Sequence, residues 1–95
     1  MKRFSILQKT MDRCYVCGTS HDLHVHEVFY GINRQTSIKQ GCCVALCGRH
    51  HNMSDHGVHF NRELDLRLKR DCERRWMEQN GSEEEFIRIF GRSYL

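Results

Sequence analysis

The run C-G-R-H-H-N-M-S-D-H-G-V-H, residues 47–59, gathers one cysteine and four histidines into a short stretch. Upstream, C-Y-V-C supplies Cys14 and Cys17, and L-H-V-H-E at 23–27 adds His24, His26 and the carboxylate of Glu27. Thiolates and imidazoles at these spacings select a transition metal of the zinc type. Cys14 and Cys17 form a C-x2-C hook, and Cys47 and His50 form a C-x2-H hook. Two such hooks give four ligands and no open position, which is the donor set of a structural, tetrahedral Zn²⁺ site. Cys42 or Cys43 offers a rival to His50, because adjacent cysteines on a strand point to opposite faces and one would face inward.

The rest of the chain fits a metal-stapled domain. Ninety-five residues with 39% hydrophobic content and no proline make one small domain, spanning 1–95, whose core is hard to stabilise unaided. The six cysteines could instead form disulfides. Residues 1–11, however, carry charges throughout and no apolar run, so a secretory signal is not expected. No stretch approaches the roughly 20 apolar residues of a membrane span, and a cytoplasmic protein is the expectation. The net charge of +3 permits nucleic-acid binding without requiring it.

Along the chain, residues 1–10 are expected to form a short helix, with Phe4, Ile6 and Leu7 on the core. Residues 14–18 read as a metal knuckle relieved by Gly18. Apolar alternation predicts a strand over 23–30, and C-C-V-A-L at 42–46 a second, pairing into a two-stranded ribbon. The polar stretch between Gly31 and Gly41 reads as a long loop carrying Arg34 and Lys39. A helix is expected after Cys47, bearing His50 and His51. Asn61 is a candidate N-cap for a longer helix over 62–79, with Leu64, Leu68, Cys72 and Trp76 as its apolar face. Its other face carries Arg62, Arg67, Lys69, Arg70, Arg74 and Arg75, interleaved with Glu63, Asp65, Asp71 and Glu73. S-E-E-E at 82–85 is a capping box for a last helix that buries Phe86, Ile87, Ile89 and Phe90. The fold class is therefore α+β: a metal-finger core over 14–59 followed by helices over 61–95.

Once His50 serves the closed site, His26, Glu27, His51, His56 and His59 remain. A hydrolytic metal site needs an ion with open coordination and a base that activates water. A strand end facing a helix start can converge on one ion. His26 and Glu27 are adjacent on a strand, so they diverge and play different parts. His24 shares the face of His26 and reads as a solvated strand residue, and His21 sits in a turn.

C-Y-V-C, then L-H-V-H-E-V, then A-L-C-G-R-H-H-N resembles the HNH nuclease family, the ββα-metal finger. H-E-V-F-Y-G and G-V-H-F-N strengthen the likeness to small phage-encoded members, including those that enhance recombination. The resemblance implies a metal-dependent DNA endonuclease working in a bacterial host cytoplasm, with DNA and a phage or host recombination protein as partners. It implies that His26 orients or deprotonates water, and that His51 and His59 hold a catalytic divalent ion (Mg²⁺, Mn²⁺ or Zn²⁺). His59 is preferred to His56 because of G-V-H-F and the turn that Gly57 allows. Phosphate contacts would come from Arg34, Lys39, Arg67, Arg70 and Arg74. Two features depart from the family pattern. Where many members have Asp-His or His-His, this chain has His26-Glu27, so either His26 is the base or His26 holds the metal and Glu27 takes the base position. The central Asn has no counterpart in residues 41–46, which leaves its loop-supporting role to Asn33 or Ser37.

Overall fold

The computed structural model describes residues 3–52 and 56–95. Among these, an antiparallel ribbon is built from β1 (Leu23–Glu27) and β2 (Cys43–Cys47), with Leu23 opposite Cys47 and Glu27 opposite Cys43. Between the strands lie a 3-10 turn (Gly31–Asn33) and helix α1 (Arg34–Gln40). Helix α2 (Gly48–His51) follows β2 directly, and α3 (Arg62–Gln79) and α4 (Glu83–Phe90) complete an α+β fold.

The sheet's core strand is β2, buried at every position. Against it pack Leu64, Leu68, Cys72 and Trp76, one face of α3, as their spacing predicts. An aromatic cluster closes the far end. Phe29 lies 4.7 Å from Phe90 and 5.6 Å from Phe86, and Trp76 lies 5.6 Å from Phe86. Asn61 and Ser82 cap α3 and α4 by accepting from Leu64 N and Glu85 N. Gly91, at φ +97, ends α4 in the left-handed conformation that glycine adopts without strain.

Several expectations are corrected. The stretch after Gly31 is not a loop, because α1 occupies it. A helix burying only Ser37 and Ile38 has no apolar stripe, so periodicity could not reveal it. Residues 3–10, the described part of the expected first helix, are irregular. They form a strap instead, in which Ile6 N donates to Gly41 O and Gln8 Oε1 accepts from Ala45 N. Ile6 and Leu7 pack on the core, but Phe4 is half exposed and lies over Gly41, where a Cβ would collide with its ring.

Strand β1 stops at Glu27 rather than at 30. The Ser37 hydroxyl accepts from Phe29 N (3.1 Å) and donates to Phe29 O (2.7 Å), and so takes both groups out of the ladder. Ile87 and Ile89 are each 39% exposed, because an eight-residue helix has one core face and Phe86 and Phe90 fill it. On α3, Asp65, Lys69 and Glu73 do not belong to the solvated face. Lys69 and Asp65 pair at 2.8 Å with little exposure, and Lys69 Nζ stands 4.5 Å over the Tyr30 ring. Glu73 is fully buried and ties down the tail, accepting from Tyr94 N (2.7 Å) and Ser93 Oγ (2.5 Å).

Candidate metal centres

Cys14 and Cys17 sit on a tight knuckle. Gly18, at φ +79, lets its N–H return to Cys14 O (2.9 Å), and Cys14 N donates to Thr19 O (2.8 Å). Tyr15 N donates to Ala45 O and so holds the knuckle against β2, whose last residue is Cys47. His50 follows on α2. The four donors lie within 4.8 Å of one another. Cys17 Sγ is 3.7 Å from Cys47 Sγ, and His50 Nδ1 lies 3.3 Å from Cys47 Sγ and 3.9 Å from Cys14 Sγ. Zn–S bonds of about 2.3 Å and Zn–N bonds of about 2.0 Å give tetrahedral edges of about 3.8 Å between sulfurs and about 3.5 Å between sulfur and nitrogen. The observed distances match those edges, so this group can hold a zinc-type ion.

Its electrostatics agree at Cys14 and His50, whereas burial, then the neighbouring Cys17 and Cys14, push the Cys47 thiol up. Burial raises the Cys14 thiol, but backbone hydrogen bonds at Cys47, Cys17 and Val16 outweigh it and bring the pKa below the ordinary value. Burial, with Arg49 and His56 nearby, lowers His50 and so favours the neutral ligand form. The rival ligands are placed elsewhere. Cys42 and Cys43 are fully buried and outside the group, Cys43 pushed up to about 12 by burial and then by Glu27. Cys72 is a core residue as expected, its thiol hydrogen-bonded to Cys42.

A second group forms on the other side of α2. Neighbouring helix residues point about 100° apart, so His50 turns toward the thiolates while His51 turns toward β1. Alternation along β1 places His24 and His26 on one face and Glu27 on the other. The apolar alternation had suggested the reverse polarity: Val25 is 43% exposed and His26 only 2%. His59 arrives because the segment after residue 56 runs back along α2. Val58 N donates to His50 O (2.8 Å), His59 N donates to His51 O (3.3 Å), and buried Val58 anchors the return.

One ring nitrogen from each of His26, His51 and His59 falls within 4.8 Å of the others, and His51 Nε2 and His59 Nε2 are 3.2 Å apart. His26 Nε2 is buried and without a hydrogen-bond partner among the described residues. Burial, then the neighbouring His51, His59 and Lys69, lowers the His26 pKa to about 3, so its ring is neutral. Burial, then the rings of His59 and His24, lower His51 as well, against a smaller opposing effect of Glu27. Three imidazole nitrogens gathered this closely disfavour a proton on His26 and His51 and suit a nitrogen-preferring cation. An orphaned buried nitrogen is costly without a partner, and a bound ion would supply one.

The remaining candidates lie around these groups. His56 is exposed and is not one of the three converging rings. Glu27 is held by Arg3 Nε at 2.9 Å and Arg34 Nε at 3.5 Å. Lys39 is exposed in the last turn of α1. Arg67, Arg70 and Arg74 share a stripe of α3, where Arg67 and Arg74 flank Asp71 and Arg70 Nε donates to Tyr94 O. Asn33 Nδ2 donates to Phe90 O, so it is Ser37 that restrains the chain after β1.

Two features were not legible in the sequence. His24, read as a solvated strand residue, lies with Nδ1 3.0 Å from His51 Nδ1. A cleft of about 350 Å³ opens beside His59, lined by Tyr30, Val58, Phe60, Asn61, Arg62 and Asp65. Phe60 is 66% exposed and Tyr30 44% exposed at its edge. No spacing rule marks a cleft whose walls come from two stretches as far apart in the chain as Tyr30 and residues 58–65. Among the described residues, no helix is long and apolar enough to cross a membrane. Comparison of the chain with protein-family models, curated proteins and solved structures gives no match.

Proposed function

We propose that the protein is a metal-dependent DNA endonuclease of the HNH type, its ββα core of β1, β2 and α2 stapled by Zn²⁺ at Cys14, Cys17, Cys47 and His50. The observation that carries this reading is the convergence of His51 and His59 on His26, whose buried Nε2 has no hydrogen-bond partner among the described residues. Between the two roles open to His26, the geometry supports metal ligand over general base. A base must meet water, and this ring is buried. The all-imidazole donor set favours a zinc-type ion over Mg²⁺, which prefers oxygen ligands. Such an ion supplies Lewis-acid stabilisation of the charge that develops on a phosphodiester under attack.

The other residues act around it. The strand turns Glu27 away from His26, but its charge is felt at His51, and it is the candidate base that would take a proton from the attacking water. Arg3 and Arg34, which hold Glu27 in the free protein, are drawn off it by the substrate phosphate. Ser37 fixes the chain just after β1, the loop-supporting part that the resemblance left open. Lys39, Arg67, Arg70 and Arg74 add phosphate contacts that position DNA without reading its sequence. The exposed rings of Tyr30 and Phe60 offer faces on which bases stack. A phage or host recombination protein would deliver the DNA, in a bacterial cytoplasm.

One observation favours a second reading, a zinc-binding DNA- or protein-interaction module without catalysis: the Glu27 carboxylate is already engaged by two arginines. Cleavage of supercoiled and single-stranded DNA with Zn²⁺, Mn²⁺ and Mg²⁺ decides between them. The nuclease reading expects cutting that His51→Ala abolishes, and that Glu27→Ala reduces by about 100-fold or more. No cutting by the wild type with any of the three metals overturns it in favour of the binding module.

A further inference from the structure

We propose that Asp22 and His24 are positioning residues that fix which nitrogen of His51 faces the metal. This rests on the three-histidine site being a metal site, as proposed above. Asp22 Oδ1 lies 3.2 Å from His24 Nε2, His24 Nδ1 lies 3.0 Å from His51 Nδ1, and His51 Nε2 lies 3.2 Å from His59 Nε2. A carboxylate only accepts hydrogen bonds, so His24 Nε2 carries the proton and donates it. A neutral imidazole that donates from Nε2 has a bare Nδ1, which can only accept. The contact between the two Nδ1 atoms therefore has His51 donating. His51 Nε2 is left with its lone pair, on the side where His26 and His59 converge. One carboxylate thus sets the tautomers of two rings in series and delivers a ligand nitrogen at the end. Ligating histidines commonly hand their second nitrogen to such a partner, which fixes the ring's orientation and raises its basicity.

The backbone keeps the relay in register. Asp22 adopts φ +52, a left-handed conformation that Asp tolerates better than most residues. There its carbonyl accepts from Gly48 N (3.0 Å), which fastens the start of β1 to the start of α2. His24 and His26 lie two apart on one strand face, so one contributes the support and the other a ligand. At 61% side-chain exposure Asp22 is open to water, so the effect belongs at the modest end of such supports.

The test uses protein holding zinc at its cysteine site, with Co²⁺ titrated into the histidine site. His24→Ala is expected to weaken Co²⁺ binding about 10-fold, within the range of about 10- to 100-fold known for such outer partners. His24→Gln, whose amide oxygen can accept from His51, should restore most of the affinity. Long-range proton–nitrogen NMR before Co²⁺ is added should show His51 protonated at Nδ1 in the wild type, and a mixture of tautomers in Asp22→Ala and His24→Ala. A merely structural role moves neither the tautomer nor the Gln rescue. The relay is overturned if wild-type His51 carries its proton on Nε2, or if His24→Ala binds Co²⁺ within twofold of the wild type. Absence of any Co²⁺ binding to wild-type histidines overturns the metal site itself and the relay with it. That failure is distinct, because failure of the relay alone leaves wild-type binding intact.

Discussion

Cys14 and His26 are both buried, but burial serves them differently. Cys14 lies among donors that favour its thiolate, ready to bind a cation. Replacing it with serine removes a ligand from a closed site, so Cys14→Ser should lower zinc content and Tm together. A loss of about 2–3 kcal/mol corresponds to on the order of 10–20 °C for a chain of this size. Zinc analysis after dialysis, paired with a thermal melt, checks the coupling, and an unchanged melt would remove the cysteine group as a staple. His26 instead keeps in the interior a nitrogen that has no hydrogen-bond partner among the described residues. An unsatisfied buried polar atom costs about 1–3 kcal/mol, so in protein loaded only at the cysteine site His26→Leu should hold or raise Tm. The same variant should take up no second ion. Stability and second-site metal binding moving in opposite directions is the signature, read by a melt and a metal titration. The C-x2-C and C-x2-H hooks were legible because each is made within a few residues. Spacing alone left five candidates for the second group, and only the resemblance singled out His26, His51 and His59, because they meet only through the pairing of β1, α2 and the returning segment.

At the scale of elements, caps were read well and buried charges were not. Asn61 and Ser82 announce α3 and α4 through local hydrogen bonds that depend on nothing distant. Glu73 looks like one more surface carboxylate until α4 and the tail fold over it. The two should therefore respond differently in urea titrations. Asn61→Ala should cost about 1 kcal/mol, the usual loss of an N-cap. Glu73→Ala strips the acceptor from Ser93 Oγ and Tyr94 N and leaves a hole, so it should cost about 2 kcal/mol or more and expose residues 91–95 to protease. Equal costs would mean that the tail docks without Glu73. Helix α1 escaped notice for a related reason: its order comes from the Ser37 bridge to Phe29 and the Gly41 cap, neither of which has a periodic signature.

The whole molecule combines a small core with two side-chain groups that could each hold a metal ion, one on each of two faces of a four-residue helix. A chain of 95 residues with so short a sheet is of the size that a bound metal would help to hold together. Stepwise chelation should therefore show two events. The histidine-bound ion should leave first with far-ultraviolet circular dichroism unchanged, and the cysteine-bound ion last, together with unfolding. Loss of both ions without loss of helical signal would show that the core stands alone. The sequence by itself determined the α+β class, the cysteine knuckle with its partner hook, the limits of α3 and the start of α4. Each of these follows from residues close enough in the chain for spacing to fix their geometry. The tertiary structure alone decided that His26 faces inward while Val25 faces out, that His24 supports His51, and that Glu73 is interior. Those outcomes depend on which surfaces meet across the fold, and the packing of distant segments leaves no period in the sequence.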